Sequence, residues 1–192
     1  MQRMMTEKGA AFAEAAAMIA HGDPRLFEII ALSVRVSLTS VTLSALLALP
    51  AGAALAVADF PGRRAAIVVL NALLGLPAVV VGLAVYLLLS RAGPLGVFGI
   101  LFTPAAMVLA QAILVFPLLA ALTRQLVADA WSESREQLQS LGAGTGASAL
   151  ALLFDLRFTL VTVVLAGFGR AIAEVGAVMI VGGNIDGVTR VM

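Results

Sequence analysis

Long uncharged stretches alternate with short polar breaks along most of the chain. Residues 36–57 and 72–89 contain no Asp, Glu, Lys or Arg. A third stretch, 104–122, has Gln111 as its only strongly polar residue, and a fourth, 160–181, is apolar except for Arg170 and Glu174. Because a membrane-spanning helix needs about 20 largely apolar residues, the pattern predicts four spans. The expected fold is therefore all-α, a polytopic transmembrane helical bundle.

The polar breaks define the organisation of the chain. Asp23 and Pro24 precede the first span, where Asp can cap a helix and Pro suits its first turn. Polar turns follow at 59–64 and 90–96, and the much longer segment 123–157 carries charges of both signs with several glycines. We expect an N-terminal external or surface segment at 1–25. The rest, 26–192, is one transmembrane domain with a solvent-facing loop at about 123–157.

Composition supports a membrane protein and disfavours several other classes. Of the 192 residues, 61% are hydrophobic and 12% are charged, whereas about 25% of residues in soluble domains are charged. The net charge of +1 disfavours nucleic acid as a partner, because phosphate backbones are bound by clustered Lys and Arg. Cysteine is absent, and His21 is the single histidine and lies outside every predicted span, so a membrane enzyme or a thiolate metal site is disfavoured.

The distribution of Lys and Arg predicts an orientation, since cytoplasmic loops hold an excess of them. With four spans, the 59–64 turn and the 123–157 segment lie on one side of the bilayer. That side carries Arg63, Arg64, Arg124, Arg135 and Arg157, and the opposite side carries Arg3, Lys8, Arg25, Arg91 and Arg190. On the opposite side Arg3 and Lys8 lie farther from any span, so the first side has more positive residues near span ends. This difference favours a cytoplasmic large loop and an external N-terminus.

Two charged residues stand within the fourth span. A charge at mid-membrane costs roughly 2.5–3.5 kcal/mol even on the lenient insertion scale, and Arg170 and Glu174 are spaced i, i+4, so on a helix they would share one face. They could line or brace a translocation path, or form a buried structural ion pair. Direct binding of a substrate by Arg170 is a third possibility, and the sequence leaves all three open.

The 123–157 segment contains a candidate elbow between two short helices. Leu138 and Leu141 have the spacing of an apolar helix face, and Gly142, six residues after Glu136, can take the positive φ that turns a chain between helices. Such an elbow would present a compact knob to a partner. An ordinary amphipathic connection would show the same spacing.

At this elbow the chain resembles the ABC importer permeases. Glu136 and Gly142 are similar to the Glu-Ala-Ala–three residues–Gly motif of the loop that docks on the ATPase subunits, although Gln137 and Leu138 replace the two alanines. Residues 71–96 and 169–185 resemble the molybdate, tungstate and sulfate permeases, most of all the tungstate branch. Those permeases have one further span beyond the position of Met192, so the resemblance implies a chain truncated at its C-terminus.

The resemblance implies a transport subunit, not an enzyme, of the plasma (bacterial inner) membrane. It implies a second permease copy, a separate ATP-binding subunit and an extracytoplasmic oxyanion-binding protein as partners, with no cofactor in this chain. The sequence itself contains no G-x-x-x-x-G-K-[ST] phosphate loop, so ATP hydrolysis is expected on the partner.

Two other functions fit the hydrophobic pattern. A secondary transporter or channel would need no ATPase, but the chain shows no inverted repeat and no relay of carboxylates. A membrane scaffold without a transport role is the other alternative.

Overall fold

The computed structural model describes residues 24–191. These residues form seven α-helices and one short 3-10 helix at Gly96–Phe98, and no strand occurs within 24–191. The helices are α1 (Pro24–Val57), α2 (Arg63–Leu74), α3 (Ala78–Leu89), α4 (Pro104–Ser140), α5 (Thr145–Asp155), α6 (Arg157–Ile172) and α7 (Gly176–Gly182). The predicted all-α class is confirmed. Most of the predicted N-terminal segment, residues 1–23, lies outside the described residues.

Helices α1 and α4 form the central pair of the bundle. They have 34 and 37 residues and lie against each other along much of their length. Their contact is close at Gly52, where an added Cβ would lie 2.6 Å from the carbonyl oxygen of Ala120. Most of the buried residues of α1 are small, namely Ser37, Ser40, Ser44, Ala48, Gly52, Ala53 and Ala56. Small side chains allow two helices to approach closely within a bilayer.

The bundle has two distinguishable ends. At one end, which we call the elbow end, Val57 at the C-terminus of α1 packs with Val127 of α4 and Leu152 of α5. At the opposite end, Val36 of α1 packs with Met107 of α4 and Val178 of α7. The α4–α5 connection and the α1–α2 turn therefore lie together at the elbow end.

Two helices are long and apolar enough to cross a bilayer alone, and two bent pairs qualify when each pair is taken together. The single helices are α1 and α4. The pairs are α2 with α3, bent by 103°, and α5 with α6, bent by 77°. The described chain thus contains two spans, or up to four, the predicted number, if each bent pair crosses as one. The α5–α6 pair matches the predicted fourth span only in α6, because α5 falls within the predicted 123–157 loop.

The second predicted span, 72–89, is wrong as a continuous helix. The structure begins the helical region at Arg63, ends α2 at Leu74 and starts α3 at Ala78. Pro77 explains the break, because proline lacks the N–H donor and disfavours helical geometry in the preceding residue. Gly75 adds a position of low helix propensity beside it. Pro50 and Pro117, by contrast, lie within continuous helices.

The fourth predicted span, 160–181, is also wrong as a continuous helix. Helix α6 ends at Ile172 and α7 begins at Gly176. No proline lies in the intervening 173–175. The side chains of Gln111 and Glu174 take over part of the helical hydrogen bonding at this break.

Candidate functional site

The predicted elbow between α4 and α5 is present, and its glycine has the expected conformation. Gly142 has a φ of 75°. Its N–H donates to the carbonyl oxygen of Gln139 at 2.9 Å, and the N–H of Ala143 donates to that of Leu138 at 3.0 Å. This pair of bonds is a Schellman motif, which ends a helix with a residue of positive φ. Since no atom lies within 4 Å of an added Cβ at Gly142, the requirement for glycine there is conformational rather than steric.

The outer surface of the elbow is apolar and solvent-accessible. Leu141 is 81% exposed, Leu150 is 70% exposed and Phe154 is 69% exposed. Residues 141–154 contain no charged side chain, although a helix on a free surface normally turns a polar face outward. The opposite face of α5 packs through Leu152 against α1 and α4. The elbow therefore presents an uncharged, partly apolar surface of the kind that a partner covers.

The four elbow residues singled out from the sequence have different positions. Glu136 is exposed on the last part of α4, and Leu138 is partly buried beside the Val57–Val127–Leu152 cluster. Leu141 projects at the tip, next to Gly142. Leu138 thus anchors the elbow to the bundle, and Leu141 and Glu136 lie on its accessible side.

A basic and aromatic corner joins α5 to α6. The guanidinium of Arg157 lies 4.4 Å from the ring centroid of Phe154 and 4.6 Å from that of Phe158. One guanidinium nitrogen, Nη1, donates to the carbonyl oxygen of Phe154 at 2.9 Å. A cation over two ring faces is stabilised electrostatically, so this corner holds the bend between the helices.

Arg170 and Glu174 are not joined in the structure. Neither residue belongs to the ion pairs Arg63–Asp59 and Arg190–Asp186 seen within residues 24–191. Arg170 is exposed in the last turn of α6, whereas Glu174 lies in the break after it. The expectation that they share a helix face is wrong, because α6 ends at Ile172.

Glu174 instead interacts with the start of α7. Its Oε1 accepts a hydrogen bond from the backbone N–H of Ala177 at 3.3 Å. Glu174 also lines a cavity of about 20 Å³ between α1, α4 and the break, together with Ser33, Ser37, Gln111, Ile172, Val36, Val178 and Val191. A space of roughly 10–15 Å³ holds one water molecule, so this cavity has the size of a water site rather than that of an oxyanion.

Gln111 connects three helices inside the bundle. It is 4% exposed. Its Nε2 donates to the carbonyl oxygen of Ala171 on α6 at 2.9 Å, and its Oε1 accepts from the hydroxyl of Ser40 on α1 at 3.1 Å. The sequence showed Gln111 as an isolated polar residue within a span, but that pattern did not identify its partners.

An apolar groove of about 770 Å³ runs along the flank of α1 and α4. Leu43 and Leu47 of α1 line it with Leu109 and Phe116 of α4, and Leu76 closes it from the α2–α3 break. At the end of the bundle opposite the elbow, a separate pocket of about 430 Å³ is lined by Arg25, Glu28, Asp186 and Arg190, with Ile29, Leu32, Gly187 and Val188. Two positive and two negative side chains give that pocket no net charge.

These features define a polytopic helical membrane protein with broken spans and an exposed elbow between two helices. No family model matches the chain. It is, however, 43% identical over 181 residues to the tungstate uptake system permease protein TupB of Peptoclostridium acidaminophilum, covering 94% of this chain and 79% of that protein. It is 44% identical over 171 residues to a probable anion ABC transporter permease protein of Haloferax volcanii, covering 88% of this chain and 74% of that one.

A more distant relative belongs to sulfate transport. The sulfate transport system permease protein CysW of Synechococcus elongatus is 30% identical over 178 residues, which cover 89% of this chain and 62% of that protein. The chain belongs to the ABC oxyanion permease family. It is a membrane transport subunit, and the family identified from its sequence is confirmed.

Proposed function

We propose that this chain is the membrane-spanning subunit of an ATP-driven importer of a tetrahedral oxyanion. Tungstate is the first substrate to test, because two proteins named for tungstate uptake resemble the chain at 43% and 39% identity. Molybdate and sulfate have the same shape and charge. The exposed, apolar surface of the elbow at residues 141–154 carries the proposal, because a transport subunit driven by another protein's ATP needs a surface on which that protein docks.

Three properties of the elbow suit a docking surface. It is rigidly connected to α4 through the Schellman motif at Gly142. Leu138 and Leu152 fix it to the bundle, so a force on the elbow acts on α1 and α4. Leu141, Leu150 and Phe154 provide apolar side chains that become buried when a partner covers them, and burial of apolar surface stabilises such contacts.

In this proposal the elbow end faces the cytoplasm of the cell, in its plasma membrane. Arg63, Arg64, Arg124, Arg135 and Arg157 lie on that side, against Arg25, Arg91 and Arg190 near the opposite span ends. Positive residues near span ends are in excess on the cytoplasmic side of membrane proteins. Two copies of the chain would pair around a central path, each on an ATPase subunit. An external binding protein would deliver the anion at the opposite end. Rocking of the paired bundles would alternate access to the path.

Co-purification of the ATPase tests the docking surface directly. We expect Leu141→Asp to abolish retention of the ATPase, because a charge would occupy the apolar contact. Val97→Asp is the matched control: Val97 is 96% exposed and lies in the 3-10 helix between α3 and α4, away from the elbow. Equal retention of the ATPase by both variants would contradict the docking role.

Uptake in proteoliposomes tests the activity. With the ATPase and the binding protein present, ATP should drive uptake of tungstate, molybdate or sulfate, and the three rates rank the substrates. Uptake that needs no ATP would indicate a secondary transporter or channel instead.

The orientation can be tested by labelling, because the chain contains no cysteine. Gly144→Cys should react with a membrane-impermeant thiol reagent only after cells are permeabilised. Val97→Cys should react in intact cells. The reverse pattern would place the elbow outside, where no ATPase could reach it.

A further inference from the structure

The break between α6 and α7 leaves backbone groups that need partners. Where a helix ends, its last carbonyl groups have no helical N–H donor. Within a bilayer no water replaces the missing donor, and each unsatisfied group is costly. Ala171 lies in the last turn of α6, one residue before its end at Ile172. In a continuous helix its carbonyl oxygen would accept from the N–H of residue 175.

Gln111 supplies that missing donor from another helix. Its Nε2 lies 2.9 Å from the carbonyl oxygen of Ala171, and the backbone N–H of Glu174 reaches the same oxygen at 3.2 Å. The Gln111 Oε1 lies 3.1 Å from the Ser40 hydroxyl, whose single proton is shared between this oxygen and the carbonyl oxygen of Val36 at 2.7 Å. The amide is buried at the contact of α1, α4 and α6, so its orientation is fixed by three elements.

Glu174 and the start of α7 follow directly after the break. Glu174 lies outside both helices, and its Oε1 accepts from the N–H of Ala177 in the first turn of α7. Both Gln111 and Glu174 line the cavity of about 20 Å³ with Ser33 and Ser37. Val178 of α7 then packs against Val36 of α1.

We propose that Gln111 is a positioning residue for transport: its amide donates to the Ala171 carbonyl in place of the missing helical bond, and this keeps the chain broken after Ile172. The break in turn holds Glu174 at the small cavity and sets the position of α7, which packs mainly on α3 and α4 and approaches α1 at Val178. The transport part of this inference rests on the proposed function, whereas the structural part does not.

Loss of the Gln111 amide makes an unbroken helix less unfavourable, because the Gln111–Ala171 hydrogen bond stabilises only the broken form. The Ala171 carbonyl then keeps the N–H of Glu174 at 3.2 Å, and it would exchange this donor for the N–H of residue 175 if α6 continued through the break. That change would carry Glu174 onto the face of α6, out of the cavity, and would move Val178 away from Val36. The loss of one of the two hydrogen bonds to this oxygen is enough to shift such an equilibrium by up to about tenfold.

The variant for the test is Gln111→Met, which keeps nearly the same length but has no N–H donor. Ser44→Ala is the matched control, because Ser44 also donates across α1 and α4, to the carbonyl oxygen of Ala112 at 2.9 Å, without touching α6. Ser40→Ala removes the hydroxyl beside the Gln111 Oε1, together with its hydrogen bond to the carbonyl oxygen of Val36. If Gln111→Met does not assemble, Gln111→Asn replaces it, since a side chain one methylene shorter cannot reach both partners.

The first readout is the number of anions imported per ATP hydrolysed by the assembled complex in proteoliposomes. We expect Gln111→Met to lower it about tenfold and Ser44→Ala to leave it within about twofold of wild type. The second readout is disulfide formation between Val36→Cys and Val178→Cys, in the otherwise cysteine-free chain. Crosslinking should be efficient in the wild-type and Ser44→Ala backgrounds and should fall at least fivefold with Gln111→Met.

Equal results for Gln111→Met and Ser44→Ala in both readouts would overturn the proposal, because Gln111 would then be one structural hydrogen bond among others. Unchanged crosslinking with lost uptake would overturn the placement of α7 by Gln111. A wild-type complex without ATP-dependent uptake would refute the proposed function alone, and the crosslinking result would still decide whether Gln111 holds the break.

Discussion

The Nε of Arg63 donates to the carbonyl oxygen of Leu55 at 2.8 Å, so the first residue of α2 closes the C-terminal end of α1. The same guanidinium donates through Nη2 to the carbonyl oxygen of Ala56 at 2.8 Å and contacts Asp59 at 3.2 Å. Arginine near a helix C-terminus binds its last carbonyl groups and interacts favourably with the helix dipole. A residue predicted only to mark the orientation of the chain therefore has a structural role in the α1–α2 turn.

Replacement of Arg63 should destabilise this turn. We expect Arg63→Met to lower the free energy of unfolding by about 1–3 kcal/mol, because two carbonyl groups lose charged donors. Arg64→Met is the control, since Arg64 is exposed and within residues 24–191 makes no hydrogen bond or ion pair in the structure. Thermal unfolding of the purified protein in detergent measures both. Equal stability of the two variants would show that the cap contributes nothing.

The elbow should depend on glycine at position 142 but not at 144. Gly142→Ala forces a side chain into a left-handed conformation, at a cost of about 1–2 kcal/mol. Gly144 has a φ of −72° and open space around its Cα, so Gly144→Ala should be neutral. The melting temperature and the amount of ATPase that co-purifies should both fall for the first variant only. Similar losses for both would mean that the loop needs flexibility instead of one turn conformation.

Close contact between α1 and α4 should make Gly52 irreplaceable. In Gly52→Ala the new Cβ would lie 2.6 Å from the carbonyl oxygen of Ala120 and 2.9 Å from the Cβ of Thr123. The backbone of α4 would have to move, and overpacking of this kind costs about 1–3 kcal/mol. Gly169→Ala in α6 meets no atom within 4 Å and should be neutral or stabilising. Yield and melting temperature of the folded protein distinguish the two.

Exchanging the charges of Arg170 and Glu174 should not rescue the effects of the two single substitutions on assembly and uptake. Since α6 ends at Ile172 and the two side chains form no ion pair, the effects of Arg170→Glu and Glu174→Arg should add, with a coupling energy below about 0.5 kcal/mol. A double-mutant cycle on assembly and uptake measures this coupling. Recovery of the exchanged pair to near wild-type values would indicate an ion pair that forms during transport.

The sequence predicted the helical class, the spans at α1 and α4 and the Gly142 turn, because each depends on local information. Long uncharged runs and a glycine after an amphipathic helix indicate such elements by themselves. The break at 75–77 also had a local cause in Pro77, although the uncharged run around it concealed the change of direction.

The break at 173–175 could not be read from the local sequence. Its stability depends on Gln111, which is 60 residues away from Ala171 in the chain. The i, i+4 spacing of Arg170 and Glu174 indicated a shared face only on the assumption of an unbroken helix. Hydrogen bonds between distant helices decide such positions, and a single polar residue in an apolar span is the signal that identifies where to look.

Helix α4 is a single helix of 37 residues, which corresponds to a length of about 55 Å. The hydrocarbon core of a bilayer is about 30 Å thick, so this one rod extends from the far side of the membrane to well beyond its near side. Gln111 lies near its beginning and Gly142 follows its end. A displacement of a few ångströms imposed at the elbow is thus transmitted to the Gln111–Ala171 contact through one continuous helix, in which Pro117 is the position where bending is easiest.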